Sequence, residues 1–280
     1  MLERSTSGRW ALPWRHAHLA LTVLVVLLWS QLGERLAGLL FVPAWVLVTQ
    51  LIAAGSLEAA RLRRRAWLDQ YLRDDSPWHR WLRGGALMVA RHQLLGACLA
   101  LLLLVKLRLL AWVDWPMLLV AVVGLVGLRN GLRRRLARHV IRGHLPAVTR
   151  RLVVPPAAGL LSLMLVAVAL WLPQPYLVGL GWEEALLRHL QGRDAASLLG
   201  FFERLGSAAE IIQYWAMQNA VESQQLGAPL ALLGWSLLLL TQSAFAWAYV
   251  RLLVGADALR REGGRSAPVA SRLRGEEETR

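Results

Sequence analysis

A chain of 280 residues with 56% hydrophobic side chains and a mean hydropathy of +0.42 exceeds the ~45–50% apolar content of soluble domains, which excludes an ordinary water-soluble globule. The formal net charge of +14 would suit a nucleic-acid binder, yet long apolar runs interrupt the basic residues, so the expected partners are a lipid bilayer and its anionic phospholipids, not nucleic acid. The single cysteine, Cys98, offers no disulfide and no thiolate metal site to argue from.

In chain order, residues 1–18 carry Arg4, Arg9 and Arg15 ahead of an apolar run over 19–29. The pattern imitates a secretory signal, but Trp29, Gln31, Glu34 and Arg35 stand where a cleavage site would need small residues, so the segment reads as an uncleaved first span. Residues 17–56 form a mostly apolar stretch of 40 residues, about 60 Å as helix against a hydrocarbon core of about 30 Å. The polar break Gln31-Leu32-Gly33-Glu34-Arg35 divides it into helices near 14–32 and 36–57. Arg61, Arg63, Arg64 and Arg65 close the second. Residues 57–90 hold an amphipathic stretch around Trp67, Leu68, Tyr71 and Leu72. Ser76 and Pro77, as cap and first helical residue, then open a short helix whose Trp78, Trp81 and Leu82 suit a membrane interface.

A second hairpin over 93–128 folds at Val113-Asp114-Trp115-Pro116, since Pro116 suits the first turn of a new helix and disfavours continuation of the old one. Its second member has 13 clearly apolar residues, 116–128, and extends to Leu132 with Arg129 snorkelling to the interface. A basic block follows: Arg133, Arg134, Arg135, Arg138, Arg142, Arg150 and Arg151. The fifth helix, 152–172, ends at Pro173-Gln174-Pro175. The insert 173–228 reads as three short helices, 182–191, 194–205 and 207–226, the last opened by a capping box, Ser207-Ala208-Ala209-Glu210, and stopped by Gly227 and Pro229. This last helix lies on the outer leaflet, caps the bundle or docks a partner. A sixth helix over 229–254 ends among Arg251, Arg260 and Arg261, leaving 255–280 as a polar tail without ordered structure.

The expected fold is therefore all-α: a polytopic membrane protein with six transmembrane helices in three hairpins and short interfacial helices. Residues 1–151 supply two hairpins with basic loops, and 152–254 supply the third with its helical insert. Placing both termini on one side puts 26 basic and 10 acidic residues on that side and 6 and 8 on the other. Lys and Arg mark the cytoplasmic face, so both ends are expected in the cytosol of a bacterial inner membrane. A faint repeat runs through the hairpins: Arg15-His16 and Arg91-His92 open them, and Leu62-Arg63-Arg64-Arg65 and Leu132-Arg133-Arg134-Arg135 close them. Any arginine-rich chain obeying the same sidedness rule produces such a pattern without true repetition.

Function is less legible. No Asp or Glu falls within any of these six spans, which counts against carboxylate relays and ion-coupled transport. Lys106 and Arg108, near Trp112 and Asp114, read as snorkelling cations or a site for an anionic ligand. The deepest polar residues are Thr49 and Gln50 in the second helix and Thr241, Gln242 and Ser243 in the sixth. They suit interhelical hydrogen bonds of about 0.6–2 kcal/mol, or the lining of a path. Arg63, Arg64, Arg65, Arg133, Arg134 and Arg135 are candidate contacts for anionic lipid. Gly96 and Ala100, like Ala121, Gly124, Gly127 and Gly131, permit close helix approach.

His139 and His144 are five apart, about 140° around a helix, and share no face. With no thiol or carboxylate beside them, neither metal nor cofactor is expected. No Gly-x-Ser-x-Gly, His-Glu-x-x-His or glycine-rich phosphate loop occurs, so no catalytic residues are assigned. The leading expectation is a non-catalytic subunit or scaffold of a membrane assembly, with a protein partner or a second copy of itself. The alternative is a channel or transporter for a neutral or anionic solute, lined by Gln50, Thr241, Gln242 and Ser243. A lipid-modifying enzyme ranks third, using Glu183, Glu184, His189, Glu203 and Glu210, whose spacing matches no known motif.

Overall fold

Where no water can reach the backbone, a chain of long apolar runs satisfies its N–H and C=O groups only within each segment, and helices follow. The computed structural model describes residues 11–71, 86–140, 145–190, 197–222 and 227–277, and every regular element among them is helical. In order these are α1 (Ala11–Gln31), α2 (Glu34–Tyr71), α3 (Ala86–Leu109), a 3₁₀ turn (Trp112–Asp114), α4 (Trp115–Leu136), α5 (Leu145–Trp171), α6 (Trp182–Leu190), α7 (Leu198–Glu222) and α8 (Gly227–Glu277). Among the described residues, five stretches are long and apolar enough to cross a membrane: Glu34–Ala54, Met88–Leu109, Trp112–Leu136, Val148–Trp171 and Gly227–Ala258. This is the all-α polytopic architecture.

The apolar part of α1, Ala17–Gln31, is shorter, but α1 still runs the length of the bundle. At one end His18 faces Asp257 of α8. Near the other, the Trp29 indole donates to the Leu104 carbonyl at 3.0 Å, and Arg108 donates to the Leu32 carbonyl at 2.8 Å. Trp45 of α2 donates in the same way to the Ala97 carbonyl at 2.8 Å. The two acceptors are seven residues apart, two turns of one helix, so indoles from α1 and α2 clasp a single face of α3.

The hub is α8, which packs against α1, α2, α3, α5 and α7. Its Phe245, Ala246, Ala248, Tyr249, Leu252 and Leu253 are buried, as are Phe41, Ile52, Leu103, Leu107, Leu118, Leu161 and Leu165 on its neighbours. Tyr249 stacks on Phe245 with ring centroids 6.4 Å apart, and its hydroxyl donates to the Leu118 carbonyl at 3.4 Å. Exposed leucines and valines form the perimeter, and Trp112, Trp171, Tyr176 and Trp182 are exposed toward one end, the amphipathic belt of a membrane–water boundary. Gly96 seats α3 against α2: an added Cβ would stand 3.2 Å from the Thr49 carbonyl oxygen. Ala100 is fully buried. Gly255 brings α8 onto α2, where any Cβ would overlap the Leu51 carbonyl. By contrast no described residue lies within 4 Å of a Cβ built at Gly124, Gly127 or Gly131, so this face of α4 makes no close approach among the described residues.

Several element ends differ from the sequence expectation. α2 continues through its arginine cluster to Tyr71. α7 is one helix where two were expected. The Gly206-Ser207 break does not interrupt it, because Gly206 packs against α3 with room for an added Cβ only 3.0 Å from Leu109, and Ser207 is buried. The cap that forms is Ser197, whose hydroxyl accepts the Gly200 N–H at 3.0 Å. The tail expected to lack order is helical as far as Glu277, since extending an existing helix avoids the nucleation cost of a new one. The short interfacial helix expected near Trp78 lies outside the described residues.

Candidate functional site

At the arginine-rich end, four helices converge on one small cleft that holds a carboxylate. Asp257 of α8 accepts from Arg129 Nη1 of α4 at 2.7 Å, and His18 Nε2 of α1 lies 3.3 Å from the same oxygen. The Asp257 side chain is only 9% exposed and that of Arg129 19%. Arg150 of α5 joins them in lining a small cleft, walled otherwise by Leu19, Leu125, Val126, Val153, Leu253 and Val254. The helices deliver these groups because Val250, Leu253 and Asp257 fall on one face of α8, spaced three and four residues apart. Apolar walls lower the local dielectric, which strengthens the Asp257–Arg129 attraction and raises the cost of leaving either group alone. The cluster thus ties α1, α4 and α8 at one carboxylate.

The opposite end carries a second network. Lys106 and Arg108, the last cations of α3, form ion pairs with Glu210 and Glu203 of α7. Seven residues separate the two acids, placing them on one face of α7, and Arg108 additionally holds the Leu32 carbonyl. Beside them, burial first and Glu210 second push the Tyr214 phenol above its ordinary range, so it stays neutral. Phe202 lies against Phe41 of α2 with ring centroids 6.2 Å apart. Side chains of α7 also hold the connection that follows α5. Gln218 accepts from the Leu177 N–H at 2.8 Å and donates to the Pro175 carbonyl at 2.8 Å, and Asn219 accepts from the Gly179 N–H at 3.1 Å. Trp215 donates to the Leu180 carbonyl at 2.7 Å. The helix packs on α2, α3, α6 and α8.

The polar residues singled out from sequence are dispersed. Thr49 is buried and donates back to the Trp45 carbonyl at 2.7 Å within α2. Thr241 donates to the Leu237 carbonyl at 2.5 Å and Ser243 to the Leu240 carbonyl at 3.2 Å, both within α8. Gln242 is buried. Gln50, on the perimeter, accepts from Gln93 Nε2 at 3.0 Å, a bond between α2 and α3. Arg133, Arg134 and Arg135 are exposed in the last turn of α4. Arg63, Arg64 and Arg65 lie on the helical extension of α2.

Sequence reading missed Asp257 by ending the sixth helix three residues early. Carrying the buried periodicity of Ala246, Val250 and Leu253 one turn further would have reached it. Arg129, expected to snorkel, is instead held by that carboxylate. No family model, curated protein or solved structure matches the chain.

Proposed function

We propose that this chain is a non-catalytic structural subunit of a membrane assembly, seated in a bacterial inner membrane with both ends in the cytosol. One observation carries the reading: the axis of the bundle is filled by α8, whose side chains from Phe245 to Leu253 pack against the surrounding helices. A protein whose axis is solid works through its surfaces. The arginine-rich end supports the proposed orientation, and there Arg63, Arg64, Arg65, Arg133, Arg134 and Arg135 would meet the headgroups of anionic lipids. Thr49, Thr241, Gln242 and Ser243 act in this reading as packing groups. The test is affinity purification of the full chain in mild detergent with mass spectrometry of what accompanies it. A stoichiometric companion, lost on Tyr176→Asp with Leu187→Glu at two exposed positions, is the expected result. A chain that purifies alone and as a monomer would overturn the reading.

A second reading, a conduit for a neutral or anionic solute, is favoured by the Asp257 cluster, because ionisable groups among transmembrane helices commonly mark pathways. Flux of a radiolabelled solute into proteoliposomes, abolished by Asp257→Asn or Gln242→Leu, would place this reading first.

A further inference from the structure

The face of α2 turned away from the bundle carries Leu36, Leu40, Pro43, Leu47 and Gln50, all exposed. Their separations alternate four and three residues, the repeat by which two helices meet along a seam. Leu36 is 59% exposed and Leu47 66%, so among the described residues the seam has no cover. Gln50 is its polar member, one turn inside the end of the Glu34–Ala54 span. It does not stand by itself: its oxygen accepts from Gln93 Nε2 at 3.0 Å, on the surface between α2 and α3.

That bond uses one N–H and one oxygen of two amides which together carry four N–H groups and two oxygens. Where the Glu34–Ala54 span lies in hydrocarbon, lipid tails supply neither donor nor acceptor, so amide groups left over at this surface would cost free energy. An apolar helix laid on the seam would cover the leucines and leave the amides unmet. A second copy meets both needs, because each amide donates and accepts and the same patch recurs on the partner. Twofold symmetry about an axis along the membrane normal makes such a contact self-complementary.

We propose that two copies of this chain associate in parallel through α2, with Gln50 and Gln93 of each copy sharing hydrogen bonds across the twofold axis. The proposal rests on the assembly reading above and supplies one of its contacts. Gln50 sets register, as a lone polar residue in an apolar seam does in other helix pairs.

The test is energy transfer between donor- and acceptor-labelled full-length chains, labelled at the C-terminus, in phosphatidylcholine–phosphatidylglycerol vesicles over a series of protein-to-lipid ratios. Saturable association is expected, weakened about three- to thirty-fold by Gln50→Leu, the range that interhelical amide bonds provide. Leu119→Ala, on the exposed face of α4, should leave it unchanged. In a Cys98→Ser background, Leu40→Cys and Leu47→Cys should give disulfide-linked dimers in native membranes, whereas Leu119→Cys should not. Equal association of the native chain and Gln50→Leu, cross-linking through α4 alone, or a monomer at every ratio would each overturn the proposal. A monomer in vesicles that still captures a different protein stoichiometrically removes the dimer and leaves the assembly reading standing.

Discussion

Asp257 holds His18 and Arg129 on two other helices, so its loss is felt well beyond α8. Removing the Arg129 guanidinium leaves the Asp257 carboxylate with only part of its compensation in a medium that solvates it poorly. Arg129→Gln should therefore destabilise the detergent-solubilised chain by roughly 3 kcal/mol, the lower end for such pairs because the guanidinium keeps some access to solvent. Thermal unfolding followed by size-exclusion chromatography measures it. An effect below ~0.5 kcal/mol would mean that the pair is solvated after all. Trp29→Phe should cost about 1 kcal/mol, one hydrogen bond with its acceptor still inside the α3 backbone. Neither residue's role was open to sequence reading in full. Arg129 looked like an interfacial cation because its partner lies 128 positions later in the chain, and only the fold brings them together.

At the level of elements, the helices were legible and their ends were not. Apolar length fixes where a helix exists, while its terminus depends on what its last turns meet. Gly206-Ser207 has the composition of a break, yet contact with Leu109 and Val105 holds α7 straight through it. Glycines show the same limit. The stripe Gly124, Gly127 and Gly131 looked like a packing face and is open, whereas Gly255, placed by sequence in a tail, sits directly on the α2 backbone. Gly255→Ala should accordingly destabilise the fold by about 1–3 kcal/mol through forced separation of α2 and α8. Gly124→Ala should be neutral or stabilising by up to ~1 kcal/mol through helix propensity. Fluorescence-detected chromatography after graded heating distinguishes the two, and equal behaviour would contradict the α2–α8 crossing. Lys106→Glu and Glu210→Lys should each loosen α7, and the double exchange should recover part of the loss. Protease sensitivity of the α7–α8 connection reports it, and full additivity of the single effects would show that the pair contributes nothing.

For the whole molecule, the charge asymmetry was the strongest sequence signal because it reflects a rule of membrane insertion that needs no tertiary contact. What charge counting could not give is the arrangement of the helices, in which α1, α2, α3, α5 and α7 pack around α8. Cysteines introduced in a Cys98→Ser background at Arg134 and Tyr176, probed with an impermeant maleimide on intact spheroplasts, test sidedness. Labelling at Tyr176 and protection at Arg134 are expected, and the reverse would invert the proposed topology.

The position of the axial helix in the chain has a consequence for biosynthesis. α8 is the last described helix to leave the ribosome, yet α1, α2, α3, α5 and α7 all complete their contacts on it. Until residue 227 and its successors are translated, α2 has α3 and α4 has α5 to pack on, but none of them has α8. Pairs of helices can therefore form early in synthesis, while the centre they surround closes only with the last described helix.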